Sequence, residues 1–151
     1  RNKQAITKAI SERNTMEQQE VLKNFIVLEG IDGAGTSTQL AALKKILDST
    51  HLKFWTTCEP TRGPIGKLIR SALSGQWEIQ SDTLAYLFSA DRKEHLYHPE
   101  GIIAKAKNRL VISDRYLYSS LAYQALESDF DFVYSLNCSF PLAEHVFFFR
   151  H

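Results

Sequence analysis

The chain has 151 residues with 44% hydrophobic content, which suffices for one packed core and is too little for two domains of ordinary size. Eighteen basic residues against seventeen acidic ones give a formal net charge of +1. This balance excludes a chain drawn to nucleic acid or to an anionic membrane by its overall field, so any phosphate binding must be local.

Residues 1–23 precede the first apolar run, and we expect them to form an arm, either an appended helix or a mobile segment. Basic residues and apolar residues at helical spacing leave an organelle transit segment as an alternative. No apolar run approaches the length of a membrane span, and the two cysteines, Cys58 and Cys138, match no metal spacing. We therefore expect a cytoplasmic protein without a membrane partner.

Four short apolar runs have the length of strands: residues 25–28, 54–57, 110–112 and 146–149. The first, third and fourth are almost continuously apolar, which is typical of a parallel sheet covered by helices on both faces. The last run, VFFF, is accordingly expected in the core, and a missing C-terminal segment would leave part of it uncovered.

Helical patterns separate these runs, as the crossovers of a parallel sheet require. The apolar stripes are Leu40, Leu43 and Leu47 in the first, and Leu84, Leu87 and Phe88 in the second. Ser81 is expected to cap the second helix, and Pro99 to lie in the first turn of a further helix that ends near Asn108. Pro141 should break the chain before the last strand. The alternation predicts a doubly wound, three-layer α/β/α fold, whose ligand crevice lies at the carboxyl ends of the strands.

The segment EGIDGAGTSTQ follows the first run, and Gly30 and Gly35 occupy the glycine positions of the phosphate-loop pattern GxxxxGK[ST]. Glycine lets backbone N–H groups converge on phosphate oxygens, and the next helix adds its positive end. The predicted ATP-phosphate-binding residues are Gly30, Gly33, Ala34, Gly35, Thr36, Ser37 and Thr38. Ser37 is placed to give its hydroxyl to Mg²⁺. A generic tight connection is the alternative, but the motif favours a P-loop NTPase-like fold that binds Mg-ATP.

Thr36 stands where this pattern has a lysine that reaches the β- and γ-phosphates. Loss of one preorganised donor typically costs about a hundred- to a thousandfold in rate. Lys44 and Lys45 lie more than about 10 Å further along the expected helix, because each helical residue rises about 1.5 Å. Another cation must therefore assist, or transfer is slow.

Four blocks together resemble the thymidylate kinase family in content, order and separation: FIVLEGIDGAGTSTQL, EPTRGPIGKLIR, LFSADRKEHL and VISDRYLYSSLAYQ. The resemblance covers residues 24–151. It implies a nucleoside monophosphate kinase that uses ATP and Mg²⁺ to convert dTMP to dTDP in dTTP biosynthesis. It also implies a homodimer that pairs through helix faces, and no nucleic-acid partner.

The resemblance implies a metal and catalytic role for the segment that follows the third strand. Asp114 would lie near the magnesium, with Ser37, and Arg115 between the donor and acceptor phosphoryl groups. Asp32 would act beside them, near the sugar and phosphate of the acceptor. A structural salt bridge is the alternative for a solitary Asp–Arg pair.

The resemblance further implies these dTMP-binding residues: Asp32, Glu59, Arg62, Phe88, Arg92, Arg115, Ser120 and Tyr123. Phe88 would stack on thymine while Arg92, four residues later on the same helix face, binds its carbonyl edge. Core packing is the alternative for Phe88. Ser120 would contact thymine, and Tyr123 would crowd the 2′ side of the sugar.

The resemblance implies that the EPTRG segment carries the remaining acceptor contacts. Arg62 would hold the acceptor's monophosphate; an exposed loop charge is the alternative. Glu59 precedes Pro60, so a cis peptide bond there would aim its carboxylate at the cleft.

Full-length members of this family continue with a lid, a further strand and terminal helices, none of which follows residue 151 here. The sequence therefore predicts a core that is incomplete at its C-terminus. Thr36 keeps open a nucleotide-binding protein impaired in phosphoryl transfer. A deoxynucleoside kinase is a third alternative, against which the phosphate-holding Arg62 argues.

Overall fold

The computed structural model of this protein describes residues 19–31 and 33–150. Most of the expected arm and the predicted site residue Asp32 therefore lie outside the described residues. Residues 21–23, which the sequence assigned to the arm, open the first strand instead, because Val21 and Leu22 pair with Leu142 and Ala143.

Four parallel strands form one sheet, in the order β2-β3-β1-β4. They are β1 (Val21–Gly30), β2 (Phe54–Cys58), β3 (Leu110–Asp114) and β4 (Leu142–Phe149). The described helices are α1 (Thr36–Asp48), α2 (Pro64–Leu73), α3 (Ser81–Tyr97), α4 (Ile102–Ala106), α5 (Leu117–Glu127) and α6 (Phe130–Asn137). Each strand contains the apolar run that predicted it, and the parallel α/β fold is confirmed.

The strand order fixes where the crevice lies. The chain leaves β1 in one direction along the sheet to reach β2, and leaves β3 in the other direction to reach β4. Because crossovers between parallel strands are right-handed, α1 lies on one face and the later helices on the other. The carboxyl ends of β1 and β3 are thus the point where the topology switches and where ligands bind in such sheets.

The core forms around the two central strands. Phe25, Val27 and Val111 are fully buried and pack with Leu96 of α3 and Ile102 of α4. Full burial of each such side chain contributes about 1.5–3 kcal/mol relative to exposure. These contacts make the central strands a rigid base for the residues that follow them.

Two predicted helix starts were wrong. Gln80, not Ser81, is the N-cap of α3; Ser81 is the first helical residue, and its hydroxyl donates to the Glu127 carbonyl at 3.1 Å. Pro99 lies in a turn before α4, whose N-cap is Gly101; the turn is closed by a hydrogen bond from the Gly101 N–H to the His98 carbonyl. No helix within 19–31 and 33–150 combines the length and apolarity needed to cross a membrane.

Strand β4 begins directly after Pro141, as predicted, and pairs with β1. Its first residues are buried or half-buried, but Val146, Phe147 and Phe148 are 42%, 52% and 59% exposed. The expectation of a buried VFFF run was therefore wrong for most of its length. Within the described residues, this part of β4 is less covered than the central strands β1 and β3.

Candidate functional site

The phosphate loop connects β1 to α1. Gly33 and Gly35 have φ angles of 80° and 81°, in the left-handed region that glycine enters without strain. A Cβ on Gly30 would lie 3.1 Å from the Phe149 carbonyl oxygen and 3.0 Å from the Ala34 Cβ, so any larger residue there would have to displace its neighbours slightly. A Cβ on Gly35 would have no atom within 4 Å, so backbone conformation, and not crowding, requires glycine at that position.

Thr36, Ser37 and Thr38 form the first turn of α1, where backbone N–H groups have no partner within the helix. Thr36 is buried, whereas Ser37 and Thr38 are exposed. The buried hydroxyl side chain of Thr36 carries no charge. The described part of the loop therefore offers amides and hydroxyls to an anion, and no cation.

Ser37 and Asp114 face each other across the switch point. The Ser37 hydroxyl donates to Asp114 Oδ2 at 2.7 Å, while Asp114 Oδ1 is buried and has no hydrogen-bond partner. A hydroxyl beside a carboxylate with an unused oxygen is a donor set that Mg²⁺ accepts, with phosphate oxygens and water completing its six ligands. These two residues, predicted from positions 77 apart in sequence, fit the magnesium that the motif implies.

Arg115 follows Asp114 with φ 71°, an unusual left-handed backbone for a residue with a side chain. Its backbone N–H donates to the Leu28 carbonyl, which ties it to the end of β1. Its Nη1 donates to the Gly30 carbonyl at 3.0 Å, and its guanidinium lies 5.7 Å from the centre of the Tyr123 ring. The guanidinium is thus held between the phosphate loop and α5.

Glu29, at the end of β1, anchors the same segment. Its carboxylate accepts hydrogen bonds from the Tyr116 N–H and the Ser119 hydroxyl. Burial raises the pKa of Glu29, and these hydrogen bonds with the nearby charge of Arg115 only partly offset it. The sequence analysis missed this residue because an acid before the phosphate loop carries no distinct motif.

Two cavities meet at this point. The larger, about 1010 Å³, includes Ser37, Asp114 and Arg62 in its wall. The smaller, about 210 Å³, includes Phe88, Arg92 and Tyr123. Arg115 lines both, as do Glu59 and Pro60. Half of the predicted site residues therefore line two cavities that share the Arg115 guanidinium in their walls, whereas Ser120 and the described phosphate-loop residues other than Ser37 line neither.

Arg92 is 1% exposed, and each of its three nitrogens has a partner. Nε donates to Glu59 Oε1 at 2.8 Å, Nη2 to the Ser120 hydroxyl at 3.0 Å, and Nη1 to the Asn137 side-chain oxygen. The Asn137 amide nitrogen donates to the Val133 carbonyl, which leaves its oxygen facing Arg92. Ser120 thus lies behind the arginine, fully buried, and does not line either cavity.

Glu59 is buried and holds two side chains of α3. Its Oε2 lies 2.8 Å from His95 Nδ1, opposite the oxygen that accepts from Arg92, and the peptide bond to Pro60 is cis. Burial alone would raise the pKa of Glu59, but the charges and hydrogen bonds of Arg92 and His95 outweigh it and hold the pKa below its ordinary value. The carboxylate is engaged within the protein, although part of Glu59 reaches both cavities.

Gln124 also lines the smaller cavity, and the sequence analysis missed it. Its side chain is 9% exposed, and its Oε1 is buried without a partner. A buried acceptor without a donor is costly unless a ligand supplies one. The sequence could have indicated Gln124 through its position four residues after Ser120 on α5, since residues four apart lie on the same face of a helix.

The larger cavity is basic beyond the predicted Arg62 and Arg115. Lys67 and Arg70, one turn apart on α2, and Lys44 on α1 also line it. Spacing on α2 could have identified the first two, since residues three apart share a helix face. Arg70 donates to the Pro60 carbonyl, which fixes that side chain to the loop that carries Arg62.

A family model described as thymidylate kinase matches residues 28–151 of this chain. The chain belongs to the thymidylate kinase family. It is 47% identical over 130 residues to a putative thymidylate kinase of Treponema pallidum, covering 85% of this chain and 62% of that relative. It is 48% identical over 114 residues to a probable thymidylate kinase of Methanocaldococcus jannaschii, covering 75% and 56% of the two chains.

The fold agrees with a solved member of the family. The crystal structure of thymidylate kinase from Ehrlichia chaffeensis superposes with a TM-score of 0.69 at 28% identity, over 84% of this chain and 72% of that one. The chain spans a little over half the length of the curated thymidylate kinases it matches. The predicted family is confirmed, and it is a family of nucleoside monophosphate kinases.

Proposed function

We propose that the protein transfers the γ-phosphoryl group of Mg-ATP to dTMP, giving ADP and dTDP. The observation that carries this proposal is Arg115, which lines both the cavity with the Ser37–Asp114 pair and the cavity with Phe88 and Arg92. A kinase needs the two reacting phosphates beside one another, with charge between them. One arginine shared by the two sites meets that requirement.

On the acceptor side, the smaller cavity suits a pyrimidine that has both a carbonyl and a ring N–H. Phe88 supplies an aromatic face, Arg92 a fixed guanidinium for the carbonyl, and Gln124 Oε1 an unused acceptor for the N–H. Tyr123 closes the side on which the sugar would lie. Arg62 and Arg115 then hold the 5′-phosphate in the larger cavity.

On the donor side, the first-turn amides of residues 36–38 would bind the β- and γ-phosphates, since the Ala34 N–H already donates to the Ile31 carbonyl. Ser37 and Asp114 would hold Mg²⁺, which would neutralise charge on the transferred group. An oxygen of the dTMP phosphate attacks the γ-phosphorus, and the bond from that phosphorus to the β,γ-bridging oxygen breaks. No residue forms a covalent bond. Positioning and charge neutralisation by Arg62 and Arg115 supply the catalysis.

A panel of nucleoside monophosphates with ATP and Mg²⁺ tests the proposal. We expect the protein to form dTDP from dTMP with a higher kcat/KM than for dCMP, dGMP or dAMP. Asp114→Asn should lower kcat with little change in the Kd of dTMP, while Asp48→Asn, on the surface of α1, serves as its matched control. If the wild type forms no dTDP from dTMP in the presence of ATP and Mg²⁺, the proposal is contradicted.

Thr36 favours a second candidate, a protein that binds dTMP but transfers phosphate poorly. The described part of the phosphate loop has no cation, and Thr36, at the position of the motif's lysine, is buried. In this case dTMP should raise the Tm, by mass action on the folded state, while no dTDP accumulates. Turnover at ordinary kinase rates, about 1–100 per second, contradicts it.

A further inference from the structure

Asp91 precedes Arg92 on α3 and is 3% exposed, but it lines neither cavity. We infer that Asp91 is a positioning residue for the acceptor's phosphate: it fixes the loop from which Arg62 extends. The inference rests on the proposed function, since it assigns Arg62 to a nucleotide's phosphate.

Both oxygens of Asp91 bind a single residue of that loop. Oδ2 accepts from the Thr61 N–H at 2.8 Å, and Oδ1 accepts from the Thr61 hydroxyl at 2.6 Å. The Thr61 hydroxyl oxygen in turn accepts from the Gly63 N–H at 3.2 Å. The backbone is therefore tied down on both sides of Arg62.

The same loop is confined from the other side by α2. A Cβ on Gly66 would overlap the Thr61 carbonyl oxygen, so the helix backbone and the loop are in direct contact. Thr61 is thus held between Gly66 and Asp91. Arg62 itself is exposed, and its side chain depends on this fixed base for its direction.

Two consecutive side chains of α3 would therefore position both ends of the acceptor nucleotide, its base and its phosphate. Arg92 faces the cavity proposed for the base, and Asp91 holds the loop that carries the phosphate-binding Arg62. Without the tether, Arg62 would have to be ordered at the moment of binding, and that ordering would reduce affinity for the phosphate alone.

Calorimetric titration with dTMP and with thymidine, which has the base and sugar but no phosphate, separates this role from general stability. For Asp91→Asn we expect the Kd of dTMP to rise about tenfold or more, as for loss of a hydrogen bond to a charged group, and the Kd of thymidine to stay the same. Asp82→Asn, an exposed site at the start of α3, should change neither. In an Arg62→Ala background, Asp91→Asn should cost no further affinity for dTMP.

A matched pair at the partner residue keeps the test decisive if Asp91→Asn does not fold. Thr61→Ser, which keeps both donors, should bind dTMP like the wild type, and Thr61→Val, which lacks the hydroxyl, should weaken it. Equal losses for dTMP and thymidine, or no loss for either, would overturn the inference. Failure of the proposed function has a different signature: the wild type itself would then bind dTMP no more tightly than thymidine. If the wild type prefers dTMP and only the Asp91 and Thr61 variants behave unexpectedly, the role of Asp91 alone is wrong.

Discussion

At the scale of single residues, the site combines positions that the sequence could identify with others that it could not. The phosphate-loop spacing led to Ser37, and the resemblance to the thymidylate kinase family led to Asp114 and Arg115, since a solitary Asp–Arg pair would favour a structural salt bridge; the structure places all three at the switch point. Asn137 was not predictable, because its contact with Arg92 spans 45 residues and depends on how α6 packs against α3. The unused oxygens of Gln124 and Asp114 likewise exist only in the folded structure.

Replacing Thr36 by lysine tests what the missing cation costs. Because Thr36 is the first residue of α1, directly after the phosphate loop, a lysine there could extend an ammonium toward the β- and γ-phosphates. We expect Thr36→Lys to raise kcat for dTDP formation by up to about a hundredfold. Thr36→Met, of similar length and without charge, is the control. An equal rise in both variants would show that side-chain size, and not charge, limits the rate.

Glu59 gives the stability of the protein a dependence on pH. Because the pKa of Glu59 is lower in the folded state, the unfolded chain binds more protons near its ordinary value of 4.5. Its contribution is therefore fully present above pH 4.5 and is lost as pH falls through the folded pKa.

Glu59→Gln checks this sign. The free energy of unfolding of the wild type, from urea titrations, should exceed that of the variant at neutral pH, and the difference should shrink as the solution becomes more acidic than pH 4.5. Glu78→Gln, at an exposed carboxylate, should follow the wild type throughout. A difference that stays constant in acid would contradict the assignment.

At the scale of elements, the four apolar runs were sufficient to predict the strands, because strands of a covered parallel sheet have few polar residues. Helix starts were less predictable. The chain before α4 turns at Gly101, where a Cβ would overlap the carbonyl oxygen of His95 in the last turn of α3. Pro99 therefore lies in the turn that joins the two helices, and its presence alone did not distinguish that turn from the first turn of a helix.

The close backbone contact between Gly66 of α2 and Thr61 of the loop provides a test at the scale of elements. In Gly66→Ala the new methyl group would overlap the Thr61 backbone, so either the helix or the loop must move. We expect a loss of about 1–3 kcal/mol in the free energy of unfolding, the usual cost of overpacking. Gly63→Ala, where the nearest atom to a Cβ is 3.4 Å away and φ is −74°, should lose less. Equal losses would place the strain elsewhere.

At the scale of the whole molecule, the doubly wound topology followed from the alternation of strands and helices, while the exposed half of β4 did not. A run of four apolar residues predicts a buried strand wherever it occurs in a sequence. Only the folded structure shows that most of this run is exposed to solvent. Strand β4 pairs with β1 and forms one edge of the described sheet. Its outer edge and its exposed phenylalanines favour association.

We expect the 151-residue chain to self-associate through this strand as its concentration rises. Phe148→Lys places a charge on the most exposed of the three side chains and should reduce the apparent mass in light scattering. Leu126→Lys serves as the control, since Leu126 is 79% exposed and belongs to helix α5, not to β4. If Leu126→Lys reduces association equally, β4 is not the surface responsible.

The partners of Arg92 have one further consequence. Glu59, Ser120 and Asn137 hold the guanidinium in a single orientation before any nucleotide arrives. Under the proposed function, an incoming pyrimidine would therefore meet a guanidinium that is already oriented, and the entropy of ordering that side chain would already have been lost during folding. Discrimination between bases would then depend on the stability of the fold itself.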